Sequence, residues 1–117
     1  MEHLNANDGI RQFARAGITA TISINSGAAI ALLTQSETML RVGAGDALGF
    51  ALSTWAFGVS FGVVAWLSAF LSASAFANDR KRLELFFNFT GISLFLASIV
   101  CFWLGASSVG WTLRGLA

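Results

Sequence analysis

The chain has 117 residues, of which 56% are hydrophobic and 11% charged, with a mean hydropathy of +0.71 and a formal net charge of +1. Soluble domains carry about a quarter of their residues as charges, so this composition could not cover the surface of a water-soluble globule, and its near-neutral balance gives no hint of nucleic acid as a partner. The thirteen Asp, Glu, Lys and Arg residues also cluster, leaving uncharged runs from Ala16 to Ser36, Ala47 to Asn78 and Leu85 to Leu113. Each run reaches the roughly 20 residues that a helix needs to cross a bilayer.

The first fifteen residues, with Glu2, Asp8, Arg11 and Arg15 among them, lack the basic start and early apolar core of a cleavable signal, so no removal is expected. Asn5 to Arg15 reads as a short amphipathic segment at the membrane surface. Asn7 or Asp8 is its candidate helix cap, with Ile10, Phe13 and Ala14 on one side. The first span follows over about 16–35 and can continue as helix through Met39, Leu40 and Val42. Within it, Thr19 to Asn25 alternates polar and apolar residues as a strand would. A lone strand in lipid leaves its backbone groups unpaired, at several kcal/mol each, so helix is the expectation there too.

Gly43, Ala44, Gly45 and Asp46 stop the first helix and start the next, the glycines as a left-handed cap and Asp46 as an N-cap. The second span covers 47–77. At 1.5 Å per residue it measures about 46 Å against a hydrocarbon core of roughly 30 Å, so it must tilt or protrude. A charged turn from Asn78 to Glu84 leads into the third span, 85–113. The expected fold is therefore all-α and integral to a membrane, a single domain with three transmembrane helices behind a short amphipathic start. Five basic residues (Arg11, Arg15, Arg80, Lys81, Arg82) fall on one side and two (Arg41, Arg114) on the other, which favours a cytoplasmic amino terminus and a carboxy terminus outside. Arg80, Lys81 and Arg82 serve first as that topology signal. They are also the candidates for contact with anionic lipid headgroups.

Bilayer helices associate through close packing and hydrogen bonds, so stripes of small residues carry the information. On the second span Ala47, Ala51, Thr54, Gly58, Gly62, Ala65, Ala69 and Ser72 share one sector, and Leu52, Val59, Val63, Trp66 and Phe70 lie opposite. Gly58 and Gly62 form a GxxxG step, open either to a helix of the same protomer or to another copy. The third span repeats every seven residues at Gly91, Ser98, Gly105 and Thr112, a rhythm that favours left-handed packing. The first span is the least lipid-like. Thr19, Ser23, Ser26 and Gly27 lie on one side, and Thr21, Asn25 and Ala28 roughly opposite, so two faces call for cover and two other spans cannot supply it all. Asn25, near mid-span, is expected to make an interhelical bond that fixes register; its alternative role is to line a pore in an oligomer, with Thr34 and Gln35 near the mouth.

No Asp, Glu, Lys, Arg or His falls within the core of any span, which argues against proton-coupled transport and charge-selective filters. His3, the single histidine, reads as a solvated residue of the terminal arm, and Cys101 as a small packing residue within the third span. Plentiful Ser and Thr have no base beside them, so neither an enzyme nor a resident cofactor or metal is expected. The fifteen Phe and Trp rings could hold an apolar ligand or pigment, but such rings are also ordinary lipid-facing residues.

Ile24 to Leu33, reading I-N-S-G-A-A-I-A-L-L, resembles a stretch of small bacterial membrane proteins of unassigned function. Those similarly carry N-(S/G)-G-A-A-I-A-L-L in a first span followed by two more. The resemblance implies a three-span protein of a bacterial inner membrane and transfers no catalytic residue. Small phage holins also have three spans, but usually with the amino end outside and a charged tail. The expected function is a non-catalytic membrane subunit that works by helix packing among lipids, with copies of itself or with larger membrane subunits. A homo-oligomeric pore, as in a toxin, holin or phage-defence effector, is the alternative.

Overall fold

The computed structural model describes residues 2–116, with side chains from Asp8 onward. Four helices, α1 (Glu2–Thr34), α2 (Ser36–Arg41), α3 (Gly45–Ala77) and α4 (Lys81–Leu116), form an elongated bundle of 59 × 22 × 19 Å. No strand occurs among the described residues, Thr19 to Asn25 included. Three of the helices are long and apolar enough to cross a membrane.

The amphipathic start is no separate element. α1 runs unbroken from Glu2 through Asn7 and Asp8, so neither residue caps a helix. Extending an existing helix adds one hydrogen bond per residue fixed, whereas a fresh start must repay the cost of nucleation. The side chains of His3, Asn5 and Asn7 lie outside the described residues. At the other end the expected continuation through Val42 is interrupted. Gln35 leaves the helix (φ −102°, ψ 5°), and its N–H turns back to the Leu32 carbonyl at 3.0 Å. The bend lets α2 fold Met39 into a core with Leu32, Ala44, Leu48, Ala51 and Trp55.

Both connections close with the same cap. Gly43 (φ 78°) and Asp79 (φ 57°) take the left-handed conformation. Ala44 N–H then bonds the Met39 carbonyl and Gly43 N–H the Leu40 carbonyl, as Arg80 N–H bonds Ala75 and Asp79 N–H bonds Phe76. This is the Schellman arrangement that satisfies the last carbonyls of a helix. Gly43 fills the glycine role expected of it; Asp46 does not cap α3, which begins after Ala44 with Asp46 already in its first turn. An acidic residue there still complements the positive end of the helix dipole.

The excess length of α3 has a structural explanation. Asn25 of α1 packs beside Gly58 and Ile22 beside Gly62, a register that brings Arg15 alongside Ala69. The uncharged height shared by the helices therefore runs on α3 from Asp46 to about Ala69, about 35 Å. That height is close to the hydrocarbon thickness, and the last two turns of α3 stand beside the charged beginning of α1 rather than beside its apolar part.

Candidate functional site

Halfway along the bundle one residue from each long helix meets the others. Asn25 is completely enclosed. Its Nδ2 donates to the Thr21 carbonyl at 2.9 Å and, across to α4, to the carbonyl and hydroxyl oxygens of Ser98, both at 3.3 Å. The amide has two hydrogens, so one serves Thr21 and the other is shared by the Ser98 oxygens. Ser98 Oγ, itself fully buried, donates onward to the Gly58 carbonyl of α3 at 2.8 Å. Asn25 Oδ1 accepts no conventional hydrogen bond. It rests on Gly58 so closely that a β carbon there would overlap it. A glycine hydrogen occupies that space instead, the weak C–H···O contact common where helices approach.

The GxxxG step thus receives α1 of the same protomer: Asn25 sits on Gly58, and the Ile22 side chain fills the place of a β carbon on Gly62. Three members of the seven-residue stripe of α4, Gly91, Ser98 and Gly105, face α3. Gly105 makes room for the Trp55 indole, whose Nε1 donates to the Phe102 carbonyl at 3.1 Å. Gly91 lies over Ala65 and Ser68 with ordinary spacing, 3.6 Å from the position of its absent β carbon. Nearer the turn, Ser72 Oγ donates to the Glu84 carbonyl at 3.3 Å. Thr54 is half-buried and bonds the Phe50 carbonyl of its own helix.

The two sides expected of α1 are both present, but only one is covered. Thr21 and Asn25 are buried and Ala28 half-buried; on the other side Thr19, Ser23 and Gly27 are exposed, with open space above Gly27. Asn25 and Thr21 are thus turned into the protomer, whereas the hydroxyls of Thr19, Ser23 and Thr34 face outward from α1, as does the Gln35 side chain at its end. Arg80, Lys81 and Arg82 are exposed at the α3–α4 turn. Among the described residues the sole ion pair is Arg41 with Glu37 on α2.

Trp55 is the site residue that the sequence pattern did not single out. It stands about 40° from Ala51 on the helical projection, just beyond the Gly62 edge of the small stripe. Selecting for small side chains passes over it. The signal was its position facing a chain of glycines on α4, since a large indole in a close helix contact needs a glycine opposite.

Comparison with protein-family models, with curated proteins and with solved structures returns no match for this chain.

Proposed function

We propose that this protein is a non-catalytic membrane subunit, inserted by α1, α3 and α4, whose exposed α1 face packs against a further membrane helix. The observation that carries the reading is the contrast between outward faces. On α3 and α4 bulky apolar residues dominate the exposed surface, Phe57, Trp66, Phe70, Phe89 and Trp103 among them, with single small residues such as Ser53, Ser60 and Ser93 between them. On α1 the exposed residues include Thr19, Ala20, Ser23, Gly27 and Ala31, flanked by Ile24 and Ile30. In lipid, small residues let backbones approach and hydroxyls bond across the contact, so the α1 face gains more from a helix than from acyl chains. The buried polar side chains Thr21, Asn25, Ser68, Ser72 and Ser98 include no ionisable group, which supports a structural role over a catalytic one.

The partner helix belongs either to a second copy or to a larger membrane subunit. The basic residues favour an amino terminus in the cytoplasm, and the resemblance of Ile24 to Leu33 would place the protein in a bacterial cytoplasmic membrane. The test is the mass of the native particle in a mild detergent or lipid disc, with every co-purifying chain identified. A particle larger than one protomer is expected, reduced to a single folded protomer by Ser23→Leu with Gly27→Leu. A wild-type chain that is monomeric and copurifies with nothing overturns the reading.

A further inference from the structure

Below the Asn25–Ser98 contact a space opens between α1 and α4 over a floor formed by α3, bridged at one height by the Phe95 ring, which lies against Gly17. The gap is an apolar trough of about 390 Å³, walled by Phe13 and Gly17 on one side and Gly91 and Phe95 on the other, over Ala65. Towards the charged end it runs into a smaller hollow of about 130 Å³; Ala14, Ala69 and Asn88 border both, so the two are one cleft. The hollow is polar where the trough is not. Arg11 and Arg15 stand on its α1 side, Glu84 and Asn88 on its α4 side, and Ser72 on its floor. Neither arginine has a described carboxylate within ion-pair distance, and Arg11 is held with its guanidinium 4.8 Å over the Phe76 ring.

We infer that this cleft binds one anionic glycerophospholipid per protomer, an acyl chain in the trough and the phosphodiester at Arg11 and Arg15. The order of chemistry along the cleft is that of the lipid, hydrocarbon first and charge at the end. Side chains on a helix lean towards its amino terminus, which carries both guanidiniums away from the apolar height of the bundle. An apolar trough left empty forfeits dispersion contacts along its walls, and a flexible chain supplies them. Guanidinium groups are the side chains best matched to phosphate oxygens. Two arginines against Glu84 give the mouth a charge of +1, which a single phosphodiester neutralises. Hydroxyls of a glycerol headgroup can donate to Glu84 and Asn88, whereas a choline group has no such hydrogen and adds a cation.

The site lies apart from the exposed Arg80–Arg82 turn, and the inference rests on the membrane reading above. The full-length chain, reconstituted in equimolar phosphatidylglycerol and phosphatidylcholine, is first floated with its vesicles and then extracted mildly for native mass spectrometry. One phosphatidylglycerol per protomer is expected, enriched roughly tenfold over phosphatidylcholine, about 1.4 kcal/mol of preference. Arg11→Gln with Arg15→Gln abolishes the enrichment. Ala14→Phe, at an exposed position that only the cleft uses, displaces the lipid with helicity unchanged. Arg80→Gln, Lys81→Gln and Arg82→Gln together leave it in place. Equal retention of the two lipids, enrichment that survives loss of both cleft arginines, or enrichment lost with the turn residues overturns the inference. Failure to float overturns the membrane reading itself, whereas flotation without a retained lipid overturns the cleft alone.

Discussion

The α3–α4 seam and the seat of α1 are built on different plans. α3 and α4 are joined by a short capped turn and tied at three heights, by Ser72 to Glu84, Ser98 to Gly58 and Trp55 to Phe102. α1 has one hydrogen-bonded tie to that hairpin, through Asn25; its other contacts are non-hydrogen-bonded packing, Ile22 over Gly62 and Leu32 in the core with Leu48, Ala51 and Trp55 among them. Below them lies the cleft, bridged where the Phe95 ring meets Gly17. A helix pair hydrogen-bonded at three heights is fixed in register along its length, while a helix hydrogen-bonded at one height and otherwise held by non-directional packing can adjust more readily. The outward small face belongs to α1, as do the two arginines of the cleft between α1 and α4. The helix with fewer hydrogen bonds to the hairpin is thus the one on which the proposed partner and lipid would act.

The largest effect is expected where the two seams meet. Gly58→Ala forces a β carbon into the Asn25 amide and displaces the carbonyl that Ser98 uses, so it strikes both seams together. Overpacking of this kind costs about 3 kcal/mol, read as a lower midpoint when a denaturing detergent is titrated into the folded protein. An unchanged midpoint would mean that Asn25 is not seated on Gly58. Gly105→Ala strikes the hairpin alone. Its β carbon collides with the Trp55 indole, with an expected loss of about 2 kcal/mol and a red shift in tryptophan emission. Gly91→Ala is the control: its β carbon meets ordinary van der Waals spacing, and it should leave both readouts in place.

Much of this contrast was legible in the sequence. Gly58 and Gly62 announced a close approach on α3, and Gly91, Ser98 and Gly105 announced the α4 face, because in apolar helices small residues stand out by spacing alone. The partner of the GxxxG step was not legible. A glycine notch records that something comes near, not whether it arrives from the same chain, and only the register of α1 resolves it. The bend at Gln35 was hidden for a related reason: Gln is a good helix former, and the break is driven by burial of Met39, a tertiary gain with no local signature. Asp79 in a left-handed cap is similarly a consequence of where the turn falls. The cleft was invisible because it is a space between helices. The basic cluster that sequence favours for lipid, Arg80 to Arg82, is exposed at the turn, while Arg11 and Arg15 entered only the count of basic residues that sets orientation.

The smallest expected effect discriminates most finely between the two plans. Asn25→Ala removes the α1 tie but leaves the bond from Ser98 to the Gly58 carbonyl intact. Because Oδ1 had no donor to lose, it costs less than removal of a fully bonded amide. Ser98→Ala removes the hydroxyl from both α1 and α3, yet Nδ2 keeps the Ser98 backbone carbonyl and the Thr21 carbonyl. The double-mutant cycle therefore isolates only the side-chain share of the contact, and about 0.6 kcal/mol of coupling is expected, with roughly 1.7 as the ceiling for such bonds in lipid. Coupling indistinguishable from zero would leave packing alone, the Ile22 notch and the Leu32 contacts, to anchor α1. A value well above that ceiling would make the polar contact the strongest tie in the bundle and reverse the ranking of the two seams.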